Sequence, residues 1–498
     1  MSTICRAILV LMVAQVAVQA QQMQDHPISE KLGVVSFSTT CSLHVQAEFN
    51  RGIALLHSFA YAAAGDLFRT IAVADPGCAM AHWGLAITCF HQLWEPPLPA
   101  STLPLAEREI AIAQKIGSSD SRERGYIHAL SLLLSDVDAV PFPTRNKQYE
   151  QAMAEVARQN KGDLEAQVFY ALALLSNALP SDKTHARQKQ ALAILKPLDQ
   201  ANPDHPGITH YIIHACDSAE LAQEGEAAAR KYAQIAPAAP HALHMPSHIF
   251  TRLGMWDDSI ASNLAARTAA HTQSDVGEEI HAMDYLVYAY LQLGRYDDAS
   301  GVIKSLSAMK DLEVADFKIG YAATAMPVRY AIERKLWDDA AKIGPAAGSP
   351  PQVAAIAVWA RALGRTRGQR LSDIGGELAV LARDEERLRR AGNDYWAAQV
   401  AILRMEVIAW AAQTHADSQA AEAQMRAAAD TEDALEKLPV SPGPIVPARE
   451  QLGELLLEQH RANEALLEFK AALKDAPGRK GALEGLRRAS HEAVNAKK

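Results

Sequence analysis

Histidine is the residue type whose placement in this chain points to chemistry. Of 18 histidines, eight fall between residues 205 and 281: His205, His210, His214, His241, His244, His248, His271 and His281. Neutral imidazole is a common ligand for transition metals and titrates near neutral pH. His210, His214 and Asp217 stand at i, i+4 and i+7, which places them on one face of a helix. His241, His244 and His248 follow at i, i+3 and i+7. Two ligands one helical turn apart can share a cation without straining the backbone, so His210, His214, Asp217, His244 and His248 are the candidate metal ligands. His241, His281 and Asp284 could add ligands or orient the others. Such a set suits a divalent transition metal, Zn, Cu, Fe or Mn, and the spacing does not choose among them. The competing reading is that these histidines satisfy carbonyls at irregular helix starts, which Pro206, Pro240 and Pro246 mark.

Other chemistries lack their motifs. No phosphate-binding G-x-x-x-x-G-K-[ST] loop, G-x-S-x-G elbow or H-E-x-x-H helix occurs. Glu278-Glu279 reads as a surface pair. Cys216 points away from the His210/His214/Asp217 face and is a poor nucleophile candidate. His82, Trp83, His91, Trp94 and Tyr126 read as repeat core beside the proline-rich segment 95–104.

The elements that must position these residues are helices. Stretches of about 12 to 20 residues rich in Ala, Leu, Glu, Gln and Arg alternate with turns such as Asp75-Pro76-Gly77, Leu253-Gly254 and Leu293-Gly294. Only Val34–Thr40 suggests a strand. Leu452, Gly453, Leu456, Ala465, Phe469, Ala472 and Pro477 fall at the spacing of a tetratricopeptide repeat, and Gly52, Ala64, Phe68 and Pro76 share its offsets. Leu253–Asp258 returns as Leu293–Asp298. The expected fold is all-α, a superhelical solenoid of tetratricopeptide-like hairpins whose concave side is a binding surface. Its parts divide as residues 1–20, a signal peptide; 21–41, an N-terminal extension; 42–310, the array containing the histidine-rich region 205–284; 311–440, divergent repeats; and 441–498, a final repeat and capping helix, with Ser441-Pro442-Gly443-Pro444 as the hinge.

A formal net charge of −9 argues against a basic nucleic-acid binder, and 49% hydrophobic residues mark a globular chain. Arg6, the apolar run Ala7–Val18 and Val18-Gln19-Ala20 read as a secretory signal, so the expectation is an exported, periplasmic or secreted protein with no integral membrane segment after signal removal. Export permits disulfides. Cys41, Cys78, Cys89 and Cys216 are nonetheless too few to staple the chain and read chiefly as buried thiols, with one disulfide among the first three left open.

The strings His205-Pro206-Gly207-Ile208-Thr209-His210-Tyr211-Ile212-Ile213-His214 and His241-Ala242-Leu243-His244-Met245-Pro246-Ser247-His248-Ile249-Phe250 resemble signatures of a bacterial family of exported tetratricopeptide-repeat proteins. Blocks resembling Phe49–Phe59, Asp75–Gly84, Gln92–Pro97 and His281–Tyr288 accompany them, over roughly residues 45–300. The resemblance implies the repeat fold and weight for the histidine blocks, and no reaction. Relatives tend to carry proline after Asp217, where this chain has Ser218-Ala219.

Two functions follow as expectations. One is an interaction scaffold that holds a protein or peptide segment in its concave groove and carries an embedded histidine-rich metal site. The other is a metal-dependent enzyme, a hydrolase or oxidoreductase, built on the repeat scaffold. An open coordination position on the inner side with ordered tyrosines nearby separates the second from the first.

Overall fold

The computed structural model describes residues 30–93, 98–368 and 374–495; the signal-peptide reading and Trp94 lie outside them. Among the described residues the regular secondary structure is helical throughout. Helices pair as antiparallel hairpins, from Gln46–His57 with Tyr61–Ala74 to Ala448–Glu458 with Ala462–Asp475, and Lys480–Asn495 caps the array. The first helices of successive hairpins stack on one another as an inner layer, and the second helices lie outside. This is the α-solenoid of tetratricopeptide-type hairpins.

Packing explains the periodicity. Phe68 fills the space beside Gly52 and Gly84, where any added Cβ would lie within 3 Å of its ring. Phe469 sits the same way against Gly453 and Gly485 at the other end of the chain. One reverse turn recurs between helices. Gly254 and Gly294 both adopt φ of 70°, and the following amides, Met255 N and Arg295 N, donate back to Phe250 O and Tyr290 O, each at 2.8 Å. Lys335, Ala416 and His460 take the same left-handed position, with Leu336, Asp417 and Arg461 closing equivalent bonds. Hairpin geometry therefore continues through 311–440 although the side-chain pattern fades there. Trp337–Ala340 is its one-turn second helix.

The solenoid curls until distant helices meet. Gln46–His57 contacts Pro206–Ala215, and Val276–Gln292 contacts Lys480–Asn495. Two extended segments run along the inner side. Residues 30–41 form no strand; the Val34 amide donates to Asp204 O, and Phe37 is fully buried against Phe49, Trp83, Tyr126 and Phe169. Alternation there reflects one side chain row entering the core of the array. Residues 435–447, read from the sequence as containing a hinge, are instead a strap. The Glu436 amide donates to Pro180 O, Tyr285 Oη to Pro439 O and Ser441 O, and Arg329 to the carbonyls of Gly443, Pro444 and Ile445. Cys41 and Cys78 form a disulfide across 37 residues, whereas Cys89 and Cys216 are buried thiols.

Candidate metal centre

Four inner helices carry the site. Pro206–Ala215 opens with proline at its first position, where no intrahelical N–H is lost, and the His205 imidazole caps it by accepting from the Ile208 amide. Gly207 lets this helix approach His57, whose ring would meet an added Cβ at 2.6 Å. Next, Pro240–His244 and Pro246–Arg252 share Met245 as a cap, because Pro246 cannot supply an amide to a continuous ladder. Finally, Val276–Gln292 is capped by Asp275, whose carboxylate accepts from the Glu278 amide, and is buried from Glu278 to Gln292.

These elements gather six imidazoles into two adjoining sets of three. In the first, His210, His214 and His241 bring ligand nitrogens within 4.8 Å of one another; in the second, His244, His248 and His281 do the same. The sets abut: the His214 ring lies 6.1 Å from that of His248, and the His241 ring 6.0 Å from that of His244. All six are buried, His214 the most exposed at 9%. The interruption at Met245 sets His248 on a separate helix from His241 and His244, and the three divide between the sets, His241 in the first and His244 and His248 in the second. His241 and His281, expected at the margin, stand inside the sets.

The hydrogen bonds fix which nitrogen of each ring is available. His210 Nδ1 donates to His57 O at 2.6 Å, and His241 Nδ1 to Glu278 Oε2 at 3.2 Å. His248 Nδ1 donates to Asp217 Oδ2 at 2.9 Å. Asn263 Nδ2 donates to Ser259 O, which turns its Oδ1 toward His244, so His244 Nδ1 donates to that oxygen at 2.6 Å. Tethering Nδ1 to an acceptor and leaving Nε2 outward is how metal-ligating histidines are oriented. The consequence is sharp at one pair. With both Nδ1 atoms protonated, His244 Nε2 and His248 Nε2 turn lone pairs toward each other at 3.0 Å. Two facing lone pairs in a buried site repel unless a cation lies between them. His210 Nε2 and both nitrogens of His214 also have no hydrogen-bond partner.

Burial lowers the basicity of five of these rings, aided by mutual repulsion. His210, His214, His244 and His281 are held well below the usual histidine range, and His248 falls to about 4, with burial the largest cause. At neutral pH they are uncharged donors.

Asp217 and Asp284 stand outside both sets. Asp217 accepts from His248, Lys437 and Arg252, at 2.9, 2.6 and 3.0 Å. Burial alone would raise its pKa, but Lys437, His248 and Arg252 outweigh this and hold it well below the carboxylate range. It orients His248 and ties the strap down. Asp284 is fully buried, its oxygens unbonded, with Arg329 Nε at 3.9 Å; burial pushes its carboxyl up to about 6. Glu278 and Glu279 are buried rather than a surface pair. Glu278 accepts from His241 and Lys318, and Glu279 pairs with His271.

Sequence spacing could not find a third cluster beside the site. Glu165, fully buried, accepts from His57 Nε2 at 2.8 Å and His205 Nε2 at 2.9 Å, while His57 Nδ1 meets Tyr211 Oη. Their ring nitrogens are satisfied within the protein. This network carries the His57 carbonyl that anchors His210. His205 thus acts as a cap and carboxylate partner, and the one available signal for His57 was its place in the Phe49–Phe59 block.

A cavity of about 140 Å³ reaches the site from outside. His214 and Asp217 line one end, and Leu93, Leu175, Leu179 and Leu438 give it apolar walls. Tyr285 Oη lies 3.3 Å from His248 Nε2.

No protein-family model matches the chain, and no curated protein matches its sequence. Among solved structures, the chain is similar to the tetratricopeptide domain of P58(IPK), at 14% identity over 91% of this chain and 99% of that one, with a TM-score of 0.23. It is also similar to a chain of the APC/C hetero-tetramer Cut9-Hcn1, at 12% identity over 92% and 78% with a TM-score of 0.36. Yeast Tom70 aligns at 10% identity over 90% and 89%, with a TM-score of 0.33. Superpositions at these scores are poor, and the assignment to the repeat class stands on the hairpins themselves.

Proposed function

We propose that this chain is a transition-metal protein whose repeat scaffold holds a reactive centre on the six imidazoles of its inner side. The observation that carries the reading is the pair His244 Nε2 and His248 Nε2, facing at 3.0 Å with both Nδ1 atoms committed as donors. A purely structural histidine cluster gains nothing from turning acceptors toward one another. Three protein ligands per set leave a coordination position for water or a small reactant, the arrangement of catalytic rather than closed structural sites. The cavity ending at His214 supplies a route to it.

The test is elemental analysis of tag-free protein beside His210→Ala and His244→Ala variants, each checked for fold by circular dichroism. Near-stoichiometric metal in the parent and loss of metal in folded variants is the expected result. A parent that takes up no Zn, Cu, Mn or Fe would refute the reading.

A second reading, interaction with an extended peptide, is favoured by the strap. The inner surface grips residues 435–447 largely through their backbone carbonyls, as a peptide groove does. A protein or peptide partner there competes with the strap. An exported, periplasmic or secreted setting fits the disulfide.

A further inference from the structure

Which metal, and how many ions, can be argued from charge. Every ligand in the two sets is an imidazole, and no carboxylate or thiolate joins them. The carboxylates around the site are already matched by cations. Asp217 holds Lys437 and Arg252, Glu278 holds Lys318 at 2.8 Å, Glu279 faces His271 and Arg267, and Asp284 faces Arg329. Glu165, set behind His57 and His205, has those two imidazoles as partners, and the described carboxylates that meet the two sets bring no negative charge left over to neutralise a bound ion.

Burying charge in such surroundings is expensive, and the cost rises steeply with charge. Two divalent ions would bring four uncompensated positive charges into the space of six touching rings. Two monovalent ions bring half of that and repel each other a quarter as strongly, since the repulsion scales with the product of the charges. Copper is the first-row metal that binds imidazole strongly and is stable as a monovalent ion, and three nitrogen donors suffice for it. The division into three and three, with the sets abutting through His214–His248 and His241–His244, offers each of two ions a complete site.

We infer that the six-histidine centre is built for a pair of closely spaced copper ions held as Cu(I), one on His210, His214 and His241, the other on His244, His248 and His281. The inference rests on the metal reading above and specifies its occupant. The cavity at His214 then opens beside the first ion, and Tyr285 stands beside the second.

The experiment is anaerobic titration of the apo full chain with Cu(I), and separately with Zn(II), each against a chromophoric chelator of known affinity. The expected result is two Cu(I) per chain, with Zn(II) bound at least a hundredfold more weakly. His210→Gln and His281→Gln variants, shown to be folded, should each retain one copper. Lys318→Met, which removes one of the matched cations, should narrow the Cu(I)-over-Zn(II) preference about tenfold. After air oxidation, the copper pair should give far fewer unpaired spins by electron paramagnetic resonance than its copper content, because neighbouring Cu(II) ions couple. One ion per chain, Zn(II) bound as tightly as Cu(I), or a full spin count would each overturn the inference while leaving a metal site in place. Absence of any binding would instead remove the metal reading on which it rests.

Discussion

Asp217→Asn should loosen the strap and weaken the proposed metal centre together. The carboxylate is 5% exposed in its side chain, and its partners Lys437 and Arg252 are 8% and 12% exposed, so solvent screens the cluster little. Taking an effective dielectric near 20, the 2.6 Å and 3.0 Å contacts correspond to about 6 and about 5.5 kcal/mol of gross attraction. Desolvation of the three ions offsets most of it. Removing one member leaves the others buried without their counter-charge, and the net loss for such a site is about 3–5 kcal/mol. Native-state hydrogen exchange at the Glu436 amide, which donates to Pro180 O, reads the opening of the strap directly. A loss of 3 kcal/mol accelerates that exchange by about a hundredfold. Asp217→Asn/Lys437→Met should recover part of the loss, since the lysine no longer sits unpaired. His248 loses the acceptor that fixes its tautomer, so metal affinity should fall about 10- to 100-fold. Exchange at Glu436 within threefold of the parent, with unchanged metal affinity, would refute the argument that Asp217 links strap and site.

Other expectations concern the remaining supports. Replacing Cys41 and Cys78 by alanine opens a 37-residue loop and should cost about 4 kcal/mol in the chain-entropy account, read as a lowered denaturation midpoint that reducing agent reproduces in the parent. Glu165 is held at about 2 by His57 and His205 despite complete burial, so its share of stability is full above pH 4.5 and drains away as pH falls toward 2. Denaturant titrations at pH 5, 4 and 3 should show that slope, and Glu165→Gln should flatten it. Gly207→Ala drives a methyl against the His57 ring and should cost about 1–3 kcal/mol, the range for overpacking; a melting temperature equal to that of the parent would show that the two helices can part. Tyr285→Phe removes the one hydroxyl donor shared by Pro439 O and Ser441 O and should raise proteolytic cleavage within 435–447 without altering helix content by circular dichroism.

Local pattern made much of this architecture readable. The helical spacing of His210 and His214, the proline starts at Pro206 and Pro240, and the Gly52/Phe68 and Gly453/Phe469 pairings are all set within one hairpin or between neighbours. Readings failed where tertiary structure overrode local periodicity. Asp217 shares a helical face with His214 on paper, but the helix ends at Ala215, and the carboxylate turns to Lys437, 220 residues away. His241 and His244 share one short helix yet join different sets, and Pro246 places His248 on the next helix, beyond the break at Met245. Glu278-Glu279 look solvent-facing in isolation and are covered by helices that the local pattern does not reveal. Glu165 and His57 are 108 residues apart, and nothing in either neighbourhood announces the other.

The strap also sets an order of events during folding. Hairpins of a repeat array gain most of their contacts from sequence neighbours and can form progressively from the N-terminus. The site is an exception: Asp217, the partner of His248, waits for Lys437, and Tyr285 waits for Pro439 and Ser441. All six imidazoles are therefore in place along the chain well before the residues that enclose them. During that interval the nascent groove is open on the inner side. If the centre holds metal as proposed, loading would be simplest in this window, and closure of the strap afterwards would convert an exchangeable ion into a retained one. The loaded state of the mature molecule would then record the metal available while it was folding.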